Sequence, residues 1–218
     1  MTHQEFLTVE KARATVFNIF TALLCQPDQA IIDSPKVFDT LVAGLKIVCP
    51  DCASDAIFLK KEIQKHTHTN LLVEYTRLFI GPSKMVAPPY SSIYFGTEYI
   101  LMSDVTLWVM SFYERMGLRY NEKIKDVPDH IAIETEFLYY LIFLETKAFQ
   151  KKDLKKAKKI WRSQSEFFNK HFIKWVPAFC DKMLDGSKNE YYLLLAKCLK
   201  RFVLDTPVPD FPEKIKKR

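Results

Sequence analysis

Apolar residues recur along this chain at the three-and-four spacing of a helix rather than the alternation of a strand. In residues 5–25, Val9, Ala12, Val16, Ile19, Phe20 and Leu23 make one helical stripe. Ser34-Pro35 reads as an N-cap followed by proline at the first helical position, opening a helix to about Val48. Ser54 is placed to cap a helix to about His66, and Asn70 a short one, LLVEYTRLFI, that Gly81-Pro82 stops. Residues 81–97, punctuated by Pro82, Pro88, Pro89 and Gly96, read as an ordered loop. Ser103 opens a helix that Gly117 ends. Asp126-Val127-Pro128-Asp129 then starts a strongly apolar central helix to about Phe149, with Asp126 as N-cap and Asp129 at N3. Residues 153–184 are helical with a bend near Pro177, and residues 188–204 form a last helix before a loosely held, proline-rich tail. The pattern predicts an all-α fold, a single globular helical bundle of about eight or more helices over 1–218. Its lobes would be 1–117 and 128–210, joined by a hinge at 117–128.

Composition narrows the class. With 48 % hydrophobic residues among 218, a full core needs neither disulfides nor metal, and only 5 glycines argue against a turn-rich β protein. No stretch reaches the roughly 18 uninterrupted apolar residues of a membrane span, so no stable membrane insertion is expected. The start, MTHQEFLTVEKAR, lacks the basic-then-apolar layout of a secretory signal, and five irregularly spaced cysteines do not suggest a disulfide framework. These features predict a cytoplasmic protein. The net charge of +6 is unevenly spread: residues 1–150 hold 14 Lys and Arg against 18 Asp and Glu, residues 151–218 hold 18 against 8. The basic third admits an alternative reading as a helical nucleic-acid or regulatory binding module.

Two segments carry the most specific chemistry. The first runs from Glu74, Tyr75, Leu78 and Phe79 through Gly81 to Pro88, Pro89, Tyr90, Ser92 and Tyr94. Prolines limit the freedom such a loop loses on ordering, and its aromatics offer apolar contact surface. It reads either as a binding loop or as a buried cap on the bundle. The second segment holds Asp126, Asp129, His130 and Glu134. There the two aspartates suit a helix start, while His130 and Glu134, four apart, share a face and can hydrogen-bond.

Together these segments resemble the TorD/DmsD family of molybdoenzyme-maturation chaperones. The resemblance is carried by Glu74-Tyr75-Thr76-Arg77-Leu78-Phe79-Ile80-Gly81-Pro82, by Pro88-Pro89-Tyr90-Ser91-Ser92-Ile93-Tyr94, and by the run from Asp126 to Phe137. Phe112-Tyr113-Glu114-Arg115-Met116-Gly117-Leu118 and His171-Phe172-Ile173-Lys174-Trp175-Val176-Pro177 extend it, so that it covers roughly residues 70–180 in the family's order. Ser91 departs from the charged residue and Thr135 from the leucine common at those places. The resemblance implies a non-enzymatic, cofactor-free cytoplasmic chaperone. Its partners would be a twin-arginine signal peptide and the apo catalytic subunit of a molybdopterin oxidoreductase, held back from export until the cofactor is inserted. It implies Tyr75, Leu78, Phe79, Pro88, Pro89, Tyr90, Ser92, Tyr94, Asp129, His130 and Glu134 as the peptide-binding surface, and a monomer or domain-exchanged dimer. The chemistry agrees, since two guanidinium groups ahead of an apolar stretch call for carboxylates beside an apolar groove. Asp126, Asp129, Glu134 and Glu74 would supply the first; Phe79, Tyr90, Tyr94 and Phe137 the second.

Other signals are weaker. Cys49-Pro50-Asp51-Cys52 is a C-x-x-C without a second ligand pair, read as a solvent-facing helix turn. His66 and His68 have no nearby partner ligands, and His171 with Trp175 reads as a hydrogen-bonded structural pair. The run Lys151–Lys159 reads as a solvated helical face. The five scattered glycines make no phosphate cradle, and no nucleophile–base arrangement is legible, so no nucleic-acid partner, metal or catalytic residue is expected.

Overall fold

The computed structural model describes residues 1–81, 84–96, 101–119 and 126–212. Eleven α-helical segments succeed one another: α1 His3–Leu24, α2 Gln29–Ile32, α3 Pro35–Val48, α4 Pro50–Ile63, α5 His68–Tyr75, α6 Ser92–Phe95, α7 Asp104–Arg115, α8 Ile131–Gln150, α9 Leu154–Phe167, α10 Ile173–Gly186 and α11 Glu190–Asp205. Two π turns, Thr76–Ile80 and Phe168–Phe172, follow α5 and α9 directly. Among the described residues there is no strand, only one isolated bridge between Tyr90 and His130, and no helix long and apolar enough to cross a membrane. The chain is thus the single all-α bundle that the periodicity predicts. The expected hinge at 117–128 falls largely on residues 120–125, outside the described residues.

Helix α1 is the axis of the bundle, packing on α3 and α8, while α8 packs on α9, and α4 and α10 pack on α11. Its predicted stripe understates its burial. Phe6 and Phe17 are buried as well, and Phe17 meets the rings of Phe168, Phe172 and Phe202 at 5.0–6.4 Å. The approach of α3 is close enough that a Cβ on Gly44 would lie 2.9 Å from Val16 Cγ2, so a larger residue there would have to push Val16 aside. On the side facing α8 and α9, α1 buries Glu10 and Arg13, polar positions with no counterpart in the sequence expectation. The Arg13 guanidinium donates to Glu10 Oε1 and to Gln164 Oε1. The Gln164 amide donates in turn to Glu10 Oε2 at 3.2 Å and to Glu145 Oε2 at 2.6 Å. Glu10 thus takes both the guanidinium and the amide inside the core, while Glu145 takes the amide alone.

Several helix starts differ from expectation. Helix α4 begins at Pro50, not after Ser54. Cys49 ends α3 and begins α4 at φ −154°, and the proline that follows disfavours helical backbone at Cys49 itself. Thr67 rather than Asn70 caps α5, its hydroxyl accepting from the Asn70 N–H. The break expected near Pro177 lies upstream, at the π turn 168–172. That turn ends at Ile173, four residues before the proline, where the missing N–H and the ring clash fall. The C-x-x-C is not solvent-facing: Cys49 and Cys52 are buried and joined as a disulfide.

Burial, reinforced by the Glu10 carboxylate and opposed by Arg13, pushes the Glu145 carboxyl up to about 9 from its ordinary value near 4.5. The folded chain therefore keeps a proton that the unfolded chain gives up above about pH 4.5, so stability contributed by this group falls as pH rises through that window. Wild-type protein is expected to unfold at lower urea concentration at pH 8 than at pH 5.5. Glu145→Gln, which fixes the neutral form, should flatten that difference; an unchanged slope in the variant would refute the assignment.

Candidate functional site

The loop after the first π turn is built by its backbone. Gly81 sits at φ +65°, and a Cβ there would lie 2.4 Å from the Lys84 carbonyl oxygen, which demands glycine. Ala87 N–H donates to the Leu78 carbonyl at 2.9 Å, folding the loop back over the π turn. Pro88 and Pro89 are buried, where residues without an N–H leave no donor to satisfy. The Tyr94 phenol donates to the Pro88 carbonyl at 2.8 Å, and its ring packs on Trp175 and Phe179.

Asp129 joins this loop to the central helix. Its Oδ2 accepts from Ser92 N–H at 2.8 Å and from the Ser91 hydroxyl at 3.4 Å, and its carbonyl accepts from Ser91 N–H at 3.0 Å. Two residues further on, Ile131 N–H donates to the Pro89 carbonyl at 2.8 Å. Extended pairing holds the chain out of helix as far as His130, so neither aspartate takes its predicted place in α8. His130 is the N-cap instead, its Nδ1 accepting from Ala132 N–H at 3.1 Å. An accepting Nδ1 puts the ring proton on Nε2, which faces Asp126 Oδ2 at 3.7 Å. Burial lowers the His130 pKa, against the pull of Asp126 and Asp129, and so favours this neutral cap.

The predicted His130–Glu134 hydrogen bond is replaced by a different pair. Glu134 is fully buried, with Oε1 2.7 Å from His171 Nε2 and Oε2 accepting from Trp175 Nε1 at 2.9 Å. Burial raises its carboxyl, with His171 opposing. The expected structural role of His171 and Trp175 is thereby met. Phe95 stacks on the outer face of His171, and Trp108 and Phe167 enclose it. Glu74 is also buried. It accepts two bonds from Arg77 at 2.8 and 2.7 Å, one from Ser187 at 2.9 Å and one from Lys188 N–H at 2.7 Å. Burial pushes its carboxyl up, but these four donors outweigh it and hold the pKa below the usual range.

Of the thirteen site residues named from the sequence, Tyr75, Leu78, Phe79, Pro88, Pro89, Ser92, Asp129, His130, Glu134 and Glu74 are buried. Tyr90, Tyr94 and Asp126 are half-exposed. Asp126 is near these groups: burial first and then its carboxylate raise the Tyr90 phenol, burial, Cys25 and Asp126 raise that of Tyr75, and burial, Glu136 and Asp126 raise the exposed Cys25 thiol. Sequence reasoning missed Cys25 and Glu136. The only signal for Glu136 is its place one turn from Ala132 and Ile133 on α8, opposite the buried Glu134. Glu136 also borders a largely apolar cavity of about 250 Å³ walled by Tyr113, Leu118, Ile133, Phe137 and Tyr140, with Arg119 as its other charged lining residue. Lys155, Lys156 and Lys159 are exposed as expected and line a separate, broader groove with Arg115 and Arg162.

A family model described as nitrate reductase delta subunit matches residues 43–181. The chain is 26 % identical over 132 residues to the chaperone protein TorD of Vibrio parahaemolyticus, an alignment covering 61 % of the chain and only 60 % of that relative. It is 25 % identical over 209 residues to the TorD of Photobacterium profundum, covering 89 % of the chain and 94 % of the relative. It is 22 % identical over 147 residues to a protein of Haemophilus influenzae described as a probable Tat proofreading chaperone DmsD, covering 66 % and 65 %. The crystal structure of an Archaeoglobus fulgidus protein assigned to redox enzyme maturation has the same fold, with a TM-score of 0.56, 21 % identity, and coverage of 88 % of this chain and 93 % of that one.

Removing the buried acceptor should free the loop. Asp129→Ala is expected to cost about 1–3 kcal/mol in urea unfolding, the range for stranding buried donors. It should also expose residues 84–96 to limited proteolysis while helical circular dichroism is retained. Protease resistance equal to wild type would show that the loop is held by other means.

Proposed function

Because the chain belongs to the nitrate reductase delta subunit family, whose relatives above are named as TorD and DmsD chaperones, we propose that it is a maturation chaperone for a molybdopterin oxidoreductase. It binds the twin-arginine signal peptide and the apo catalytic subunit in the cytoplasm, assists cofactor insertion and delays export. It acts as a monomer or as a dimer that exchanges halves about the connector 117–128.

The observation that supports this reading best is the pairing of accessible carboxylates with an apolar cavity. Asp126 lies beside Tyr90 and His130 at the start of α8, and Glu136 stands at the rim of the cavity walled by Ile133, Phe137 and Tyr140. A leader with two guanidinium groups ahead of an apolar segment matches that order of charge and grease. The buried residues of the two motifs act as the frame. Asp129 holds Tyr90 in place, Glu134 sets α8 against α10, and Glu74 fixes the π turn from which the loop departs. Tyr90, Tyr94 and Asp126 make direct contact with the peptide.

Fluorescence anisotropy with a labelled twin-arginine peptide tests this. Asp126→Ala combined with Glu136→Ala is expected to weaken binding by about tenfold or more, equivalent to at least about 1.4 kcal/mol. A peptide with both arginines replaced by alanine should lose a similar factor on the wild-type protein and little further on the double variant. Equal affinity for the two peptides on wild-type protein would overturn the proposal.

A further inference from the structure

The disulfide-linked turn between α3 and α4 lies outside the site just described. Cys49 is the N-cap of α4 and Cys52 occupies its third position, so both sulfurs sit at the positive end of a 14-residue helix. Such placement favours thiolate once the pair is reduced. The fold brings a third group to them from the far end of the chain. The Asp205 carboxylate, the last residue of α11, and the two sulfurs all lie within 4.8 Å of one another.

Asp205 is placed unfavourably for a carboxylate with no role. It stands at the negative end of α11, whose last turn carries no basic residue. Among the described residues it has no hydrogen-bond or ion-pair partner. The two cations nearest in sequence on that helix are engaged elsewhere, Arg201 with Asp55 and Lys200 with Asp181. A carboxylate without a side-chain partner, brought to two cysteines that become thiolates only on reduction, is a donor set for a cation in the reduced chain.

We infer that the reduced chain binds one thiophilic divalent metal ion, of the zinc class, through Cys49 Sγ, Cys52 Sγ and the Asp205 carboxylate. Two thiolates and one carboxylate suit zinc, which takes sulfur and oxygen ligands tetrahedrally. The sulfurs are buried and Asp205 is exposed, so the fourth position faces solvent and takes water. In the structure the sulfurs are bonded to each other. Two equivalents of a thiol reductant supply the two electrons and two protons that open the disulfide to two thiols, leaving the reductant as its own disulfide. Metal binding then displaces those two protons, and the sulfurs part to roughly 3.8 Å about the ion. The site would tie the end of α11 to the start of α4, and it is independent of peptide binding.

The test uses the full chain, reduced with dithiothreitol, desalted under anaerobic conditions and titrated with Co²⁺. One cobalt per chain is expected, with near-ultraviolet thiolate-to-cobalt charge transfer and the intense visible bands of a tetrahedral ion, all bleached by equimolar Zn²⁺. Cys49→Ser and Cys52→Ser should abolish the charge-transfer bands. Asp205→Asn, an exposed position whose change leaves the core intact, should weaken Zn²⁺ binding at least tenfold in competition with a chromophoric chelator. Substoichiometric cobalt on the reduced wild type, a disulfide that resists the thiol in the folded state, or an Asp205→Asn affinity equal to wild type would each overturn the inference.

Discussion

The site depends on one buried acceptor, the carboxylate of Asp129. With no exposure to solvent, it collects donors from Ser91 and Ser92, residues nearly forty positions earlier, while the backbone on either side pairs with the same loop. The loop is thereby ordered before any ligand arrives, and two buried prolines reduce the entropy that ordering costs. Losing the acceptor would strand buried donors, and a buried carboxylate that loses its donors is more costly still. The neighbouring carboxylates work the same way. Glu134 joins α8 to His171 and Trp175, and Glu74 joins α5 to the α10–α11 connection. Each is a strut between segments distant in sequence; Glu134 and Glu74 have both carboxylate oxygens hydrogen-bonded, whereas Asp129 uses Oδ2 and leaves the buried Oδ1 without a partner among the described residues.

That arrangement divides labour among acids that look alike in the sequence. Three are spent on holding the scaffold, and only Asp126 and Glu136 keep accessible oxygens beside the half-exposed Tyr90 and the apolar cavity. A surface that recognises guanidinium groups, as proposed above, would benefit from this division. Fixed struts pre-orient the walls, and carboxylates that reach solvent exchange water for a charged partner at modest cost.

The fold was legible because helical period is a long-range property of a sequence, summed over many positions, and α1, α3, α7, α8 and α11 all follow it. Helix starts were less legible because capping is local and is overruled by tertiary pairing. Asp126 and Asp129 satisfy every sequence rule for an N-terminus, yet pairing with residues 89–91 keeps the backbone extended until His130. Proline at 50 explains why α4 is capped at Cys49 rather than Ser54. The motif residues were found as a set, but their roles required coordinates: nothing local marks Glu134 as a partner of His171 instead of His130. Glu10, Arg13 and Asp205 were invisible, since a charged residue in a helix reads as surface unless a contact from elsewhere says otherwise.

The two π turns have a consequence for helical phase. An α-helix advances about 100° per residue, so a turn that accommodates one extra residue rotates everything beyond it by about that angle relative to what came before. The turn at 168–172 therefore sets the azimuth of α10 against α9, and with it the direction in which Trp175 and Phe179 point toward Tyr94. Excising a single residue there would turn α10 by about that angle against α9. The indole would then swing out of reach of Glu134 although every residue that makes the contact was still present.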